Sequence, residues 1–428
     1  MNEKAATMAI RLPNGSSSVR GVCLSPDGKQ LYVTHILSRY KMPTTQLQRG
    51  WMNTNALSII DVQAKKLFNT VLLDDIDRGA ANPWGVSMTA DGRLICIVHE
   101  GTQELSVIDA AGLLEKLRKL AEPSNKPQPS ATRYGYPGST TAADVPNDLS
   151  FLVGLRQRVK LPGIGPRGVA VVGTTAYITE YFTDTLATVN LQADPSVGQI
   201  PLGAKPQLSL ERRGQMLFQN ADLCFQHWQS CETCHPDGRA DGLNWDLLND
   251  GLGNPKNTRS MLRGSPSGPV MALGVRENTA AAIREGIIHI QMAVCPEENA
   301  RAIDAYLKSI RPVPSPHLVE GRLSAAAEHG KRVFFDRRAG CAACHPEPMF
   351  ADGKMRDIGS AGINDRPGSK FTTPSLLETW RTAPYLHDGR YLTVKELIVR
   401  GKHVAGAGEF DKLSEQEIND LVEFVMSL

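Results

Sequence analysis

The pentads Cys231-Glu-Thr-Cys-His235 and Cys341-Ala-Ala-Cys-His345 decide how the C-terminal half of the chain folds. Two cysteines three positions apart lie on one side of a helical turn, where their sulfurs can form thioethers with the two vinyl groups of one haem. The histidine that follows directly presents its imidazole to the iron as the proximal ligand. The pentads therefore predict two covalently bound haems c, with His235 and His345 as iron ligands.

Zinc sites and redox-active dithiols also use paired cysteines. A zinc site would need further ligands at matching spacing, and Cys224 and Cys295 have no counterparts around the second pentad. A dithiol has no need of a histidine directly after it. The chain has eight cysteines in 428 residues, which are too few for a disulfide scaffold. Haem attachment is therefore the interpretation that the pentads favour.

The pentads belong to two matching segments, residues 205–312 and 320–428. Each segment opens with a helical stretch in which Gly is followed four residues later by Phe, and each ends in an amphipathic helix. Asn257-Thr-Arg-Ser-Met-Leu in the first is similar to Thr372-Thr-Pro-Ser-Leu-Leu in the second. One helix before the pentad and one after it, around a loop-rich middle, is the plan of a small cytochrome c. We therefore predict two all-α c-type cytochrome domains over these segments.

Each segment also contains a Thr followed ten residues later by a His, namely Thr279 with His289 and Thr393 with His403. Histidines at equivalent positions of a duplication are candidates for the second axial ligand of each iron. We therefore predict His289 and His403 as distal ligands. Methionine is the alternative axial ligand and would raise the haem potential. The candidate methionines are Met271, Met292 and Met349.

The N-terminal half is instead rich in short β-type segments separated by turn residues. Three repeats begin with Val19-Arg-Gly-Val, Pro83-Trp-Gly-Val and Pro166-Arg-Gly-Val, and each continues into two further β runs. Asp-Gly pairs between runs favour hairpin turns because Gly accepts positive φ. Short strands that repeat with turns between them are typical of propeller blades. We predict all-β propeller blades over residues 1–203, with a surface insertion between blades at about 110–165.

The pattern Pro-Asp-Gly followed by Leu-Tyr-Val-Thr, at Pro26 and Leu31, resembles the YVTN family of β-propeller repeats. A propeller normally has about four to eight blades, whereas the sequence supplies three repeats. We therefore expect a partial propeller and a chain that continues upstream. The missing part would hold the signal peptide, because Met1 to Gly15 carries no apolar signal core.

The run Thr373-Pro-Ser-Leu-Leu, continued by Thr382-Ala-Pro-Tyr-Leu-His-Asp-Gly-Arg, resembles the second haem domain of bacterial dihaem cytochrome c peroxidases and MauG proteins. The resemblance covers about residues 205–428. It implies a tandem cytochrome in which one haem accepts electrons and the other meets hydrogen peroxide. It also implies a calcium ion between the domains. The implied calcium ligands are Asn257 and the backbone oxygens near Thr372 and Pro374.

Peroxide chemistry needs an acid–base group beside an iron whose sixth position is open or can be vacated. The family's glutamate is not in register here, because the equivalent segment reads Gly274-Val-Arg-Glu-Asn. The candidate catalytic residues nearby are Glu277, Glu285 and Trp245. If His289 binds the first iron, peroxide is blocked until that ligand leaves. We also expect His387 to border a haem.

Three functions stay open for the whole chain. The first is a dihaem peroxidase or MauG-like oxidase that takes electrons from a small cytochrome or cupredoxin. The second is a bis-histidine electron relay that docks a partner through the propeller, and the third is a ligand-binding propeller with redox-sensing haems. The net charge of +2 implies no strong attraction to nucleic acid, and no apolar run is long enough to span a bilayer. Because covalent haem attachment takes place outside the cytoplasm, we expect a periplasmic or cell-surface protein.

Overall fold

The chain divides into two compact units. A computed structural model describes residues 8–43, 52–122, 138–192, 194–262, 268–401, 403 and 412–428. The first unit runs to Leu208, except for a short stretch after Arg39, and also includes Phe218–Thr233. The second unit includes Ser209–Leu217 and the chain from Cys234 onward. Antiparallel sheets form most of the first unit, and helices dominate the second.

Three four-stranded antiparallel sheets build the described part of the first unit, and the strands of each pair in chain order. Each predicted repeat begins one sheet. The first sheet contains β1 (Ser16–Leu24), β2 (Gln30–Ser38), β3 (Asn53–Asp61) and β4 (Lys66–Leu72). The second contains β5 (Pro83–Met88), β6 (Leu94–His99), β7 (Glu104–Asp109) and β8 (Arg156–Lys160). The third contains β9 (Pro166–Val172), β10 (Thr175–Glu180), β11 (Thr185–Asn190) and β12 (Val197–Pro201).

The glycine of each repeat allows the first strands of adjacent sheets to come close together. A Cβ atom on Gly21 would lie 2.2 Å from the carbonyl oxygen of Trp84, and one on Gly85 would lie 2.4 Å from that of Arg167. A side chain at either position would therefore collide with the neighbouring backbone. The repeated Gly explains how β1 contacts β5 and β5 contacts β9.

The predicted insertion lies inside the second sheet, not between two sheets. After β7 the chain forms helix α1 (Ala110–Ala121) and later returns as β8, which pairs with β7. The range of about 110–165 therefore includes one strand of the sheet. This strand, Arg-Gln-Arg-Val-Lys, has too few apolar residues to predict a strand from the sequence. In the structure its two arginines pair with carboxylates. The Pro-rich part of the insertion, at 123–137, lies outside the described residues.

Further helices and short strands follow the third sheet. The helices are α2 (Leu210–Gln219), α3 (Cys231–Cys234), α4 (Thr279–His289), α5 (Glu297–Ser309), α6 (Ala325–Phe335), α7 (Val394–Val399) and α8 (Glu415–Met426). Two-residue strands pair as β13 (Asn244–Trp245) with β14 (Lys256–Asn257) and as β15 (Met355–Arg356) with β16 (Phe371–Thr372). Part of the second pentad, Cys341–Ala343, forms a 3₁₀ turn. None of the described helices is long and apolar enough to cross a lipid bilayer.

The two matching segments cross their first and last helices in the same way. A Cβ atom on Gly330 of α6 would lie 1.8 Å from the carbonyl oxygen of Asp420 in α8. One on Gly214 of α2 would lie 1.8 Å from that of Ala302 in α5. Both glycines therefore allow the backbones of the crossing helices to touch.

Candidate functional site

The two pentad histidines are held in the same way. The Nδ1 atom of His235 lies 2.9 Å from the carbonyl oxygen of Arg239, and Nδ1 of His345 lies 2.8 Å from that of Phe350. When Nδ1–H donates to a carbonyl, the ring orientation is fixed and Nε2 is the nitrogen left to bind a metal. Burial lowers the pKa of both rings, which favours the neutral form that binds iron.

An aspartate closes the loop that follows each pentad. The backbone N–H of Asp241 donates to the carbonyl of Cys234 at 3.1 Å, and that of Asp352 donates to the carbonyl of Cys344 at 3.0 Å. Sequence reasoning missed both residues. The signal that could have found them is the Ala-Asp-Gly that follows each pentad at nearly the same distance.

Trp245 lies beside the first of these aspartates. Its side chain is buried, and its Nε1–H donates to Oδ2 of Asp241 at 2.8 Å. Burial raises the pKa of the Asp241 carboxyl, and this carboxyl interacts electrostatically with His235. Trp245 therefore belongs to the surroundings of the first pentad histidine. A catalytic role of Trp245 stays a prediction.

His403 faces the second pentad histidine. The ring centroids of His403 and His345 are 6.4 Å apart, and the ring planes are inclined by 43°. The Nδ1 atom of His403 is buried and has no hydrogen-bond partner among the described residues. Burial and, to a lesser degree, the nearby His345 lower the pKa of His403 to about 4. Because a metal–imidazole bond is about 2 Å long, a single ion held between two facing imidazoles gives a ring separation of this size. These residues therefore fit an iron with two histidine ligands.

His289 lies in a different environment, although it is the sequence equivalent of His403. Its side chain is 64% exposed, and its Nε2 lies 3.3 Å from Oε2 of Glu285, one turn earlier in α4. Glu285 also pairs with Arg276 at 3.2 Å. Glu277, the other candidate carboxylate, is exposed. The two predicted distal ligands thus differ, since His403 faces its pentad histidine and His289 is paired with a carboxylate.

Comparisons with known proteins bear on this arrangement. No protein-family model matches the chain. Hydrazine synthase subunit gamma of Kuenenia stuttgartiensis is 26% identical over 277 residues, which cover 51% of this chain and 77% of that protein. The methylamine utilization protein MauG of Methylophilus methylotrophus is 26% identical over 286 residues, or 54% and 85% of the two chains. A cytochrome c peroxidase of Pseudomonas sp. strain SCT is 24% identical over 261 residues, or 47% and 68%. The chain is related to MauG and to the bacterial cytochrome c peroxidases.

The residues implied for calcium have other partners in this chain. The guanidinium of Arg259 donates to the hydroxyl of Thr372 and, at 2.6 Å, to the carbonyl oxygen of Thr372. The Asn257 amide donates to Oδ1 of Asn244 at 3.0 Å. In the part of the chain that the structure describes, no three His, Cys, Asp or Glu side chains are grouped to hold a metal ion. Because a cationic side chain already contacts the Thr372 carbonyl, these residues do not fit calcium.

The His387 side chain and backbone are bound by protein groups. Its Nε2 lies 2.7 Å from Oδ2 of Asp365, and its ring stacks on Phe371 with 3.8 Å between centroids. Its carbonyl oxygen accepts a hydrogen bond from the Asn257 N–H at 2.6 Å. His387 therefore joins the loop after the second pentad to β14 and β16. That it also borders a haem stays a prediction.

Proposed function

We propose that this chain is a dihaem c-type cytochrome of the peroxidase and MauG type. It would pass electrons through a six-coordinate haem at the second pentad and reduce hydrogen peroxide at the first. The observation that carries the proposal is the contrast between His403, which faces His345 at 6.4 Å and has a buried Nδ1, and the exposed His289. When bound, haem c supplies one-electron transfer and an iron that reacts with peroxide. The thioether residues would be Cys231, Cys234, Cys341 and Cys344.

At the second pentad, His345 and His403 would hold one iron from both sides. Two imidazole ligands leave no position for peroxide, so this haem would accept and donate electrons only. The buried Nδ1 of His403 supports a ligand role. A buried nitrogen without a hydrogen-bond partner costs free energy unless another group binds the ring. An electron donor such as a small cytochrome or cupredoxin would reduce this haem.

At the first pentad, the last turn of α4 would lie on the distal side of the haem. This follows from the duplication, because the same turn in the second segment leads to His403. The turn presents Glu285 and His289, which are 3.3 Å apart. Such a pair can take a proton from one peroxide oxygen and give it to the other. Each peroxide would take up two electrons and two protons and leave as two water molecules.

The test is the spectrum of the purified holoprotein with both haems attached. We expect one low-spin haem and one high-spin haem by electron paramagnetic resonance, together with peroxide-dependent oxidation of a reduced cytochrome donor. His403→Ala should convert the low-spin haem to high spin. His289→Ala is the matched control, and it should leave the low-spin signal unchanged. Two low-spin haems in every redox state, without peroxide turnover, would exclude the peroxidase.

A relay without peroxide turnover is the second candidate, and the facing pair of His345 and His403 favours it too. In that case the three sheets would serve as a docking surface for a redox partner. Both candidates place the protein in the periplasm or at the cell surface, because covalent haem attachment takes place there. Donor oxidation by peroxide separates them, since a relay would pass electrons between proteins without consuming peroxide.

A further inference from the structure

Arg259 places a half-buried positive charge in the second unit. Its guanidinium donates to the hydroxyl and to the carbonyl oxygen of Thr372, the second at 2.6 Å. Burial lowers the pKa of Arg259 to about 10, and no neighbouring carboxylate among the described residues offsets this effect. A buried arginine is usually paired with a carboxylate. The Arg259 guanidinium instead contacts the neutral hydroxyl and carbonyl of Thr372. The positive charge at this position therefore needs an explanation.

The link from Arg259 to Thr372 joins the surroundings of the two pentad histidines. The backbone of Arg259 lies close enough to the His235 ring to raise its pKa, against the larger lowering by burial. The backbone of Pro374, two residues after Thr372, lies in the same way beside His345. Arg259 and Pro374 are equivalent positions of the duplication, as Asn257-Thr-Arg and Thr372-Thr-Pro show. The first segment therefore carries a long cationic side chain where the second has proline, and that side chain reaches the other segment.

The N–H and the hydroxyl of Thr372 also form hydrogen bonds with protein groups. Its N–H donates to the carbonyl of Ala272 at 3.0 Å, and its hydroxyl donates to that of Met271 at 2.7 Å. A calcium ion needs six to eight oxygen ligands at about 2.3–2.6 Å. The carbonyl that a calcium ion would use accepts from a guanidinium instead, and the guanidinium would repel a second cation.

We infer that the Arg259 guanidinium takes the place of a calcium ion between the two haem segments, so that the chain binds no calcium there. This inference rests on the two-haem assignment proposed above. Arg259 acts as a positioning residue that holds the loop after the first pentad against the loop after the second. Its charge also favours the reduced state of nearby haems, because a reduced haem carries one positive charge fewer.

The first experiment measures calcium on the holoprotein. The protein is dialysed against calcium chloride, desalted and analysed for metal content beside its haem content. We expect far less than one calcium per chain, and we expect the chelator EGTA to leave both midpoint potentials and the visible spectrum unchanged. One calcium per chain that is lost in Asn257→Ala would overturn the inference. The measurement does not depend on peroxide turnover, so failure of the peroxidase proposal would leave it intact.

The second experiment changes the cation itself. Arg259→Met should lower the midpoint potentials of the haems in a spectroelectrochemical titration, whereas Arg259→Lys should keep them close to those of the wild type. Equal potentials in Arg259→Met and the wild type would overturn the inference. If Arg259→Met does not fold, the decision falls to the lysine variant and the calcium content. If Arg259→Lys then bound one calcium per chain, this would contradict the inference that a positive side chain takes the place of the calcium ion.

Discussion

At the scale of single residues, an ion pair ties the first pentad to the first sheet. Nη2 of Arg20 lies 2.8 Å from Oε1 of Glu232, which is the residue after the first pentad cysteine. The Glu232 side chain is 4% exposed, and the Arg20 guanidinium stacks over the Trp84 ring at 4.3 Å. Both charges are therefore taken out of water, and removal of one partner leaves the other uncompensated.

We predict that Arg20→Met destabilises the holoprotein by about 3 kcal/mol, since a broken buried ion pair typically costs that much. Urea denaturation followed by circular dichroism measures the loss. The double variant Arg20→Met with Glu232→Gln should recover most of it, because no charge then stays buried. A single variant as stable as the wild type would show that the pair contributes nothing.

Proton transfer to peroxide gives a second prediction for single residues. Glu285→Gln should reduce the rate of peroxide-dependent donor oxidation by roughly 10²–10⁴-fold, the range expected for loss of a general acid–base group. The spin states should not change, because Glu285 is not an iron ligand. Glu277→Gln is the control, since this exposed carboxylate should leave turnover unaffected. Equal rates in the two variants would remove Glu285 from the mechanism.

At the scale of elements, the crossing of α6 over α8 depends on one glycine. A side chain on Gly330 would meet the backbone of Asp420 at 1.8 Å, and backbone cannot move aside as a flexible side chain can. We predict that Gly330→Ala destabilises the second unit by about 3 kcal/mol or more. Thermal unfolding followed at the haem absorbance measures the effect.

Gly286 provides the matched control, because it lies in α4 with nothing within 4 Å of its Cβ position. Gly286→Ala should be neutral or stabilise the protein by up to about 1 kcal/mol, as helix propensity predicts. If both alanine variants behaved alike, the close crossing would not be a constraint on the fold.

The loop between β4 and β5 contains a carboxyl that makes stability depend on pH. Asp74 is buried and accepts hydrogen bonds from the N–H groups of Asn55 and Ala80, each at 2.7 Å. Burial raises the pKa of Asp74 to about 6 from an ordinary value of 3.8. A raised carboxyl pKa means that the folded state binds the proton more tightly than the unfolded state, so the stabilisation it gives is lost as pH rises.

We therefore predict that this group lowers the free energy of unfolding by roughly 3 kcal/mol between about pH 4 and pH 6. Denaturation curves measured at several pH values in this window test the slope. Asp74→Asn should flatten the decline, although it should lower stability overall because the amide loses one acceptor oxygen. An unchanged slope in the variant would assign the pH dependence to other groups.

At the scale of the whole molecule, the two units differ in what holds them together. The first two sheets of the first unit share an apolar core that includes Leu57, Ile97 and Phe151. The described part of the second unit is loop-rich, and its helices pack in pairs around segments expected to carry haem. The second segment of this unit has an apolar cluster that includes Phe334, Phe350 and Phe424, and we expect bound haem to supply much of the remaining stabilisation.

A variant without the four pentad cysteines tests this difference. With Cys231, Cys234, Cys341 and Cys344 replaced by Ser, we expect loss of helical circular dichroism and rapid proteolysis beyond the first pentad. The sheets of the first unit should resist the protease. A haem-free second unit that stays folded and resistant would contradict the proposed cofactor role.

The sheets of the first unit show what a local sequence pattern can and cannot predict. Its repeats predicted where each sheet begins, because the glycine and the Asp-Gly turns act within a few residues. The pattern missed β8, whose charged residues are stabilised by partners distant in sequence, including Asp75 and Glu104. The pattern therefore predicted an insertion between two sheets. The pairing of β8 with β7 shows instead that the insertion lies within the second sheet.

The sequence by itself predicted the chemistry proposed for the chain, since two cysteines and a histidine within one helical turn are the pattern of covalent haem attachment. It also determined the duplication and its helix-crossing glycines. The tertiary structure alone decided that His403 faces a pentad histidine while His289 is exposed, and that the Arg259 guanidinium donates to the carbonyl of Thr372. The physical reason is range. Spacing along the chain predicts bonds made within a few residues, whereas exposure and contacts between distant residues, such as Arg259 and Thr372, depend on packing that equal spacing cannot distinguish.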